Sequence, residues 1–127
     1  MKVRYLQFDQ PSVSQIPPAA NQLREHSDLE LENAAREPSY GAIRSSRRER
    51  LATCFGLVSE VLRRQYDIIP YEVQLQAGLA LCDRQIVEMA TGEGKTLTAL
   101  FPVFFQAIAG EGMLLATAND YLAQRDF

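Results

Sequence analysis

The sequence predicts an α/β fold with one βαβ unit, preceded by a mostly helical N-terminal region. Two short apolar runs rich in β-branched residues, RQIVEM at 84–89 and GMLLATA at 112–118, predict buried strands. Between them lie a glycine-rich loop, TGEGKT, and an apolar stretch that is long enough for a helix. A strand, loop, helix and strand in this order predict two parallel strands joined by a helical crossover.

Three helices are predicted upstream of the first strand. They span residues 21–36, 43–64 and 71–82. The first has a capping pattern at Ser27–Asp28 and is expected to end before Pro38. The second repeats apolar residues at three- and four-residue steps, which is the period of a helix with one buried face. In the third, Pro70 and Glu72 at the first turn favour a helix over a strand.

The TGEGKT loop has the composition of a phosphate-binding loop, or P-loop. Gly92 and Gly94 allow the backbone to wrap around an anion with its N–H groups pointing inward. Lys95 can reach the β- and γ-phosphates of a nucleotide, and the Thr96 hydroxyl can coordinate the Mg²⁺ that bridges them. The usual motif begins with glycine, and Met89 stands at that position here. Because the loop follows a predicted strand and opens a predicted helix, we expect it to bind phosphate.

Composition excludes several classes of protein. The 127 residues suit one small soluble domain, and no apolar run reaches the ~18 residues of a membrane span. A net charge of −3 gives no electrostatic basis for binding nucleic acid or an anionic membrane. Cys54 and Cys82 lack CxxC spacing, and His26 is the single histidine, so no zinc site is expected. We expect both cysteines to be buried or half-buried reduced thiols, which fits a cytoplasmic protein.

Three segments together resemble the SecA preprotein translocase motor ATPase family. They are YEVQLQAGLAL from Tyr71, EMATGEGKTLTALFPVFFQAIAGEGM around the loop, and TANDYLAQRD from Thr117. The last segment is the most specific, because glycine loops occur in many nucleotide-binding families. The resemblance runs from about Arg50 to the end of the chain, and SDLELENAARE extends it weakly back to Ser27. The chain is therefore similar to the N-terminal part of the family's first nucleotide-binding domain.

The resemblance implies a RecA-like domain that couples ATP hydrolysis to the movement of unfolded preproteins through a membrane channel. Gln74 matches the family's adenine-reading glutamine, and Tyr71 matches an aromatic position beside the adenine. An amide suits this role because it can donate and accept hydrogen bonds at the same time. The implied cofactor is ATP or ADP with Mg²⁺, and Thr96 is its implied metal-binding residue. The implied nucleotide-binding residues of the loop are Thr91, Gly92, Glu93, Gly94, Lys95 and Thr96.

The segment after the second predicted strand is implied to support the domain without performing chemistry. Its matching residues are Thr117, Asn119, Asp120 and Arg125. Asn119 and Asp120 can also be interpreted as a helix cap. Ala90 and Ile69 depart from the family pattern, which commonly has arginine at both positions. The N-terminus departs as well, since MKVRYLQFDQPSVSQIPPAA is not the family's basic amphipathic helix.

We expect three parts along the chain. Residues 1–20 contain three prolines and are expected to form an extended or disordered arm. Residues 21–66 are expected to form a helical region. Residues 67–127 are expected to form the truncated first part of the P-loop domain. No DExD-type acidic motif, which hydrolysis would need, occurs in the sequence. We therefore expect a fragment with no catalytic residues that is inactive alone, whereas the full-length protein is an ATPase. The apolar stretch FPVFFQAIA lacks obvious partners and predicts either self-association or a mostly helical compact form.

The implied partners are preproteins and a membrane protein-conducting channel, without nucleic acid. The implied location is cytoplasmic, with peripheral contact at the inner face of the membrane in the full-length protein. A stand-alone nucleotide- or partner-binding module without turnover is one alternative. A fragment of a helicase-type nucleic-acid ATPase is another, because that class shares the order of glutamine, loop and downstream motif. NDYLAQRD and the acidic balance of charge argue against the helicase.

Overall fold

The computed structural model describes residues 13–36, 46–110 and 112–126, and this part of the chain is mainly helical. Its α-helices are α1 Ile16–Gln22, α2 Asp28–Arg36, α3 Arg47–Tyr66, α4 Glu72–Cys82, α5 Lys95–Ile108 and α6 Asp120–Asp126. Short 3₁₀ turns at Val13–Gln15 and Leu23–Glu25 flank α1. Across these residues, no helix combines the length and the apolarity that crossing a membrane requires.

The predicted βαβ unit is wrong. Within the described ranges neither 85–90 nor 112–117 forms a strand, and both run as irregular backbone. Most of their large apolar side chains are not buried as predicted, since Ile86 is fully exposed and Leu114 is 90% exposed, although Met89 is buried. A strand requires hydrogen bonds to a neighbouring strand, and these two segments do not pair with each other. The α/β class and the RecA-like sheet are therefore not supported, whereas the helical N-terminal region is confirmed.

The extended or disordered arm predicted for residues 1–20 is wrong from Val13 onward. Pro17 and Pro18 lie in the first turn of α1. Proline is tolerated there because the first N–H groups of a helix have no intrahelical acceptor. Ile16, at the start of α1, is buried, and α1 packs along α3. Residues 1–12 lie outside the described residues, and the prediction stays untested for them.

The helix predicted over 21–36 forms only in its second half. The 3₁₀ turn and the residues after it separate α1 from α2. At the predicted cap, the Ser27 N–H donates to Glu30 Oε2 at 2.6 Å, and the Glu30 N–H donates to Ser27 Oγ at 3.3 Å. This reciprocal capping box fixes the start of α2. The described part of α2 runs to Arg36, and the predicted end before Pro38 falls on residues outside the described ones.

The other two N-terminal helices are confirmed, with small differences at their ends. α3 begins after Ser46, whose side chain and Glu49 form a second capping box. It ends at Tyr66, and its C-cap Asp67 adopts a left-handed conformation with φ 54°. The predicted first residues of this helix, 43–45, lie outside the described ones. α4 agrees closely with the predicted helix over 71–82, although Tyr71 is its N-cap rather than its first residue.

Two apolar clusters join the helices, and α3 contributes to both. The larger one contains Ile16, Leu51, Phe55, Leu62, Leu75, Leu79, Cys82 and Phe101. Within it, the rings of Phe55 on α3 and Phe101 on α5 stack with their centroids 4.8 Å apart. The smaller cluster joins α2 to α3 and contains Leu23, Leu31 and Leu57. Both cysteines are free and buried, as predicted, and burial raises the pKa of each thiol to about 12.

Arg47 joins the start of α3 to the end of α4. Its guanidinium donates to the Cys82 carbonyl at 2.9 Å and pairs with the buried Asp83 carboxylate at 2.7 Å. The same group lies over the Phe105 ring of α5, 5.8 Å from the ring centroid. One cation on α3 therefore contacts both α4 and α5 and fixes this pair against α3.

Near the other end of α3, a buried carboxylate organises a second polar contact. Glu60 is 1% exposed and accepts hydrogen bonds from Arg63 and from Arg64. Because the Arg63 hydrogen bond stabilises the ionised carboxylate, it lowers the pKa of Glu60 to about 2. Arg64 also donates to the carbonyl oxygens of Leu23 and His26. This contact holds the segment between α1 and α2 against α3.

Candidate phosphate-binding loop

The TGEGKT loop is a tight turn that leads directly into α5. Its turn is closed by the Glu93 N–H, which donates to the Ala90 carbonyl at 3.3 Å across Thr91 and Gly92. Gly92 has φ 88° and Gly94 has φ 78°, in the left-handed region that residues with a Cβ rarely adopt. Both glycines of the predicted phosphate loop thus occupy positions where the backbone requires glycine.

Two side chains of the loop fold back onto the backbone of Ala90. Glu93 Oε2 accepts a hydrogen bond from the Ala90 N–H at 2.8 Å. Lys95 Nζ donates to the Ala90 carbonyl at 2.9 Å. Lys95 is exposed, so it can turn toward an arriving anion by giving up this hydrogen bond. No residue pattern predicts this role of Ala90, because the groups involved belong to its backbone.

Gln74 connects α4 to the loop. Its side chain is buried, its Oε1 accepts from the Tyr71 N–H at 2.9 Å, and its Nε2 donates to the Glu93 carbonyl at 2.9 Å. A Cβ added to Gly94 would lie only 2.4 Å from Nε2, so the loop backbone lies directly against this amide. Tyr71, the N-cap of α4, is 73% exposed. The structure therefore brings the predicted adenine-reading glutamine to the loop, with both ends of its amide in hydrogen bonds.

The start of α5 has the features of an anion-binding helix terminus. Gly94 is its N-cap, and no side chain caps the first turn. The first N–H groups of a helix carry a partial positive charge, which favours a bound anion. Thr96 lies exposed in the same turn, where a hydroxyl that coordinates nucleotide-bound Mg²⁺ is expected. The glycine backbone, the helix start, Lys95 and Thr96 therefore fit a nucleotide phosphate with its Mg²⁺.

The described residues contain no cluster of three or more His, Cys, Asp or Glu side chains that could hold a metal ion. An apolar groove of about 350 Å³ lies between α3 and α5. Leu57, Val61, Tyr66 and Phe104 are among its lining residues, and none of the lining residues belongs to the loop. This groove is therefore a separate feature from the phosphate-binding candidate.

The predicted supporting motif around Asn119 forms a local helix start. Asn119 Oδ1 accepts from the Leu122 N–H at 2.9 Å and caps α6, so the cap interpretation is confirmed. Thr117 Oγ1 donates to the Asn119 carbonyl at 3.2 Å, and Asp120 is the first residue of α6. Arg125 lies in α6, and its side chain is outside the described part. The hydrogen bonds found for this motif stay within it and do not reach the phosphate loop.

Comparisons with known proteins agree with the resemblance in the sequence. The family profile of the SecA DEAD-like domain matches residues 2–127. The protein translocase subunit SecA of Thermotoga petrophila is 47% identical over 78 residues, which cover 61% of this chain and 9% of the relative. The subunit of the same name from Chlorobium phaeobacteroides is 46% identical over 91 residues, which again cover 61% of this chain and 9% of the relative. The aligned region thus covers only 9% of the length of each relative. Since the profile matches nearly every residue, the chain belongs to the SecA DEAD-like domain family.

Proposed function

We propose that this chain is the front part of the nucleotide-binding domain of a SecA-like translocation motor and binds ATP or ADP through TGEGKT. The observation that carries the proposal is the start of α5. There, two glycines in left-handed conformation, a helix terminus without a capping side chain and the Lys95 ammonium group occur together. The helix start and the lysine both favour an anion. Membership of the SecA DEAD-like family supports a nucleotide as that anion.

In this proposal each loop residue has a distinct role. Lys95 leaves the Ala90 carbonyl and contacts the β- and γ-phosphates, while the loop N–H groups surround the same oxygens. Thr96 would hold Mg²⁺, which would supply positive charge that neutralises the phosphates. Tyr71 and Gln74 adjoin the adenine. Because both ends of the Gln74 amide already have partners, reading the base requires that it share or exchange one of these hydrogen bonds.

We assign ATP hydrolysis to groups outside these 127 residues. Hydrolysis requires carboxylates that hold Mg²⁺ and orient water, and the sequence has no DExD-type motif to supply them. The relatives are protein translocase subunits. By analogy with them, we propose that the whole protein acts on preproteins at a membrane channel, from the cytoplasm and at the inner face of the membrane. Nucleic acid has no place in this proposal.

A binding titration tests the phosphate role of Lys95. The 127-residue chain is titrated with fluorescent ADP and Mg²⁺, alongside the variants Lys95→Ala and Arg36→Ala. Arg36→Ala is the matched control, since it also removes one positive charge but lies on α2 in an exposed pair with Glu32. Loss of a charge-assisted hydrogen bond to phosphate predicts roughly tenfold to hundredfold weaker binding for Lys95→Ala.

The control variant is expected to bind like the wild type, and unlabelled pyrophosphate is expected to compete with the labelled ADP. Equal affinity of Lys95→Ala and the wild type would refute the phosphate role of the loop. A steady-state phosphate-release assay on the same protein variants, now supplied with ATP and Mg²⁺ in place of ADP, checks the assignment of hydrolysis. We expect no turnover above the buffer rate, and turnover by the wild-type chain would contradict that assignment.

A further inference from the structure

Glu93 is an acidic residue inside a loop that is proposed to bind a polyanion. By charge alone, its carboxylate opposes the approach of phosphate. Its contacts indicate another role, because three of its groups are engaged. The N–H donates to the Ala90 carbonyl, Oε2 accepts from the Ala90 N–H, and the carbonyl accepts from Gln74 Nε2. Glu93 and Ala90 thus form a reciprocal pair of hydrogen bonds that closes the turn from both sides.

The residues around Glu93 explain why such a closure is useful. Gly92 has no side chain to pack, and a Cβ added there would meet no atom within 4 Å. Glycine loses more conformational freedom than any other residue when it is ordered. A loop with two glycines therefore loses affinity if it becomes ordered only when the ligand binds. A contact that orders the turn beforehand removes that loss.

We propose that Glu93 is a positioning residue of the phosphate loop. Its carboxylate accepts the Ala90 N–H and fixes the turn before nucleotide binds, which raises the affinity for phosphate. This inference rests on the proposed function. Two effects of Glu93 have opposite signs, since the hydrogen bond favours binding and the negative charge opposes it. The experiment must therefore remove the hydrogen bond in one variant and keep it in another while the charge is the same in both.

The variants Glu93→Gln and Glu93→Met separate the two effects. Both are neutral and similar in length to glutamate, and only glutamine keeps an oxygen that can accept the Ala90 N–H. Two quantities are measured in the 127-residue chain. One is the affinity for fluorescent ADP with Mg²⁺, and the other is the hydrogen-exchange rate of the Ala90 amide without nucleotide. The second measurement does not depend on nucleotide binding.

We expect Glu93→Gln to bind about three- to tenfold more tightly than Glu93→Met, which is the effect of one net hydrogen bond. The Ala90 amide should exchange slowly in the wild type and Glu93→Gln and faster in Glu93→Met. Glu93→Met should unfold only a few degrees below Glu93→Gln, which is about the effect of one net hydrogen bond, because a general structural defect would lower the stability by more than that. Rescue by glutamine is the result that a merely structural role would not produce.

Equal affinities and equal Ala90 exchange rates in the two variants would overturn the inference and leave nucleotide binding by the wild type intact. Equal affinities with different exchange rates would also overturn it, because the fixed turn would then have no effect on phosphate. A wild-type chain with a slowly exchanging Ala90 amide and no affinity for ADP would instead refute the proposed function. That result would also refute the proposed role of Glu93 in phosphate binding.

Discussion

Replacing Gly94 with alanine tests whether contact with α4 holds the proposed phosphate loop in place. The substitution has two effects on the folded chain. It places a Cβ on a residue with φ 78°, and it brings that Cβ to 2.4 Å from Gln74 Nε2. No real carbon and nitrogen atoms approach so closely without a bond. The amide of Gln74 must therefore move away and release the Glu93 carbonyl.

The magnitude follows from these two effects. A residue with a Cβ in the left-handed conformation is destabilised by about 1–2 kcal/mol. Gln74 is buried and bonded at both ends, and each of its hydrogen bonds contributes about 1 kcal/mol net. We therefore expect Gly94→Ala to lower the free energy of unfolding by about 2–4 kcal/mol. It should also weaken binding of ADP, since the displaced amide no longer supports the loop.

Gly110→Ala is the matched control for the backbone effect. Gly110 has φ 79°, almost the same as Gly94, and a Cβ added there meets nothing within 4 Å. Its substitution should cost only the backbone contribution of about 1–2 kcal/mol. Urea unfolding of both variants measures the difference. If Gly94→Ala is no more destabilising than Gly110→Ala, the Gln74 contact has no energetic importance and the reasoning fails.

A double-mutant cycle provides a second check on the same contact. In a Gln74→Ala background the amide is absent, so Gly94→Ala should have only its backbone effect there. We expect the two single substitutions to sum to more destabilisation than the double substitution shows. Strict additivity would mean that Gly94 and Gln74 do not interact, despite the distance between them in the structure.

Two predictions concern the polar contacts of α3. The folded-state pKa of Glu60 is lowered from 4.5 to about 2. Its ionised form should therefore stabilise the chain by on the order of 3 kcal/mol above pH 4.5. This stability should be lost as the pH falls toward 2. Urea unfolding across this range should show a flatter pH dependence for Glu60→Gln, and an unchanged slope would contradict the assignment. Arg47→Ala should lower the free energy of unfolding by about 1–3 kcal/mol. Arg47→Lys should restore only part of this stability, because lysine has no planar fork with which to contact both Cys82 and Asp83. Thermal unfolding tests this, and a wild-type melting temperature for Arg47→Ala would refute it.

The helices could be predicted from the sequence because their determinants are local. Ser46 and Glu49 form a capping box within four residues, and the apolar steps of α3 repeat within one turn. Ser27 and Glu30 do the same for α2. The error at α1 has the same local origin. A proline such as Pro17 argues against a helix interior, whereas it fits well in the first turn of α1.

Whether the two predicted strands form cannot be decided from their own residues, because a strand is stable only when it pairs with another strand. The apolar run around Ile86 has strand-like residues but no neighbouring strand in the described part of the chain, and Ile86 is fully exposed. The run around Leu114 behaves in the same way. An apolar pattern shows that a segment can be buried in a sheet. It does not show that the partner for that sheet is within reach.

The residues of the candidate site were identified from the sequence, but their contacts were not. Gln74 and Glu93 lie 19 residues apart. The residues around them do not predict that the Gln74 side-chain amide donates a hydrogen bond to the Glu93 backbone carbonyl. The hydrogen bonds to the Ala90 backbone are equally hidden, because every residue except proline carries the same backbone groups. Motifs report residue types, whereas the shape of the loop depends on backbone groups and on packing between helices.

The loop is shaped by a pair of helices, and this has a consequence for how a ligand would affect the chain. Gln74 holds the loop from α4, and its neighbour Leu75 lies in the main apolar cluster with Phe101 of α5. The position of the loop is therefore tied to the packing of α4 on α5, and no strand among the described residues supports it. A phosphate that draws Lys95 away from Ala90 and exchanges hydrogen bonds with Gln74 acts on that same contact. Nucleotide binding should consequently change the protection of the α4–α5 contact as well as that of the loop.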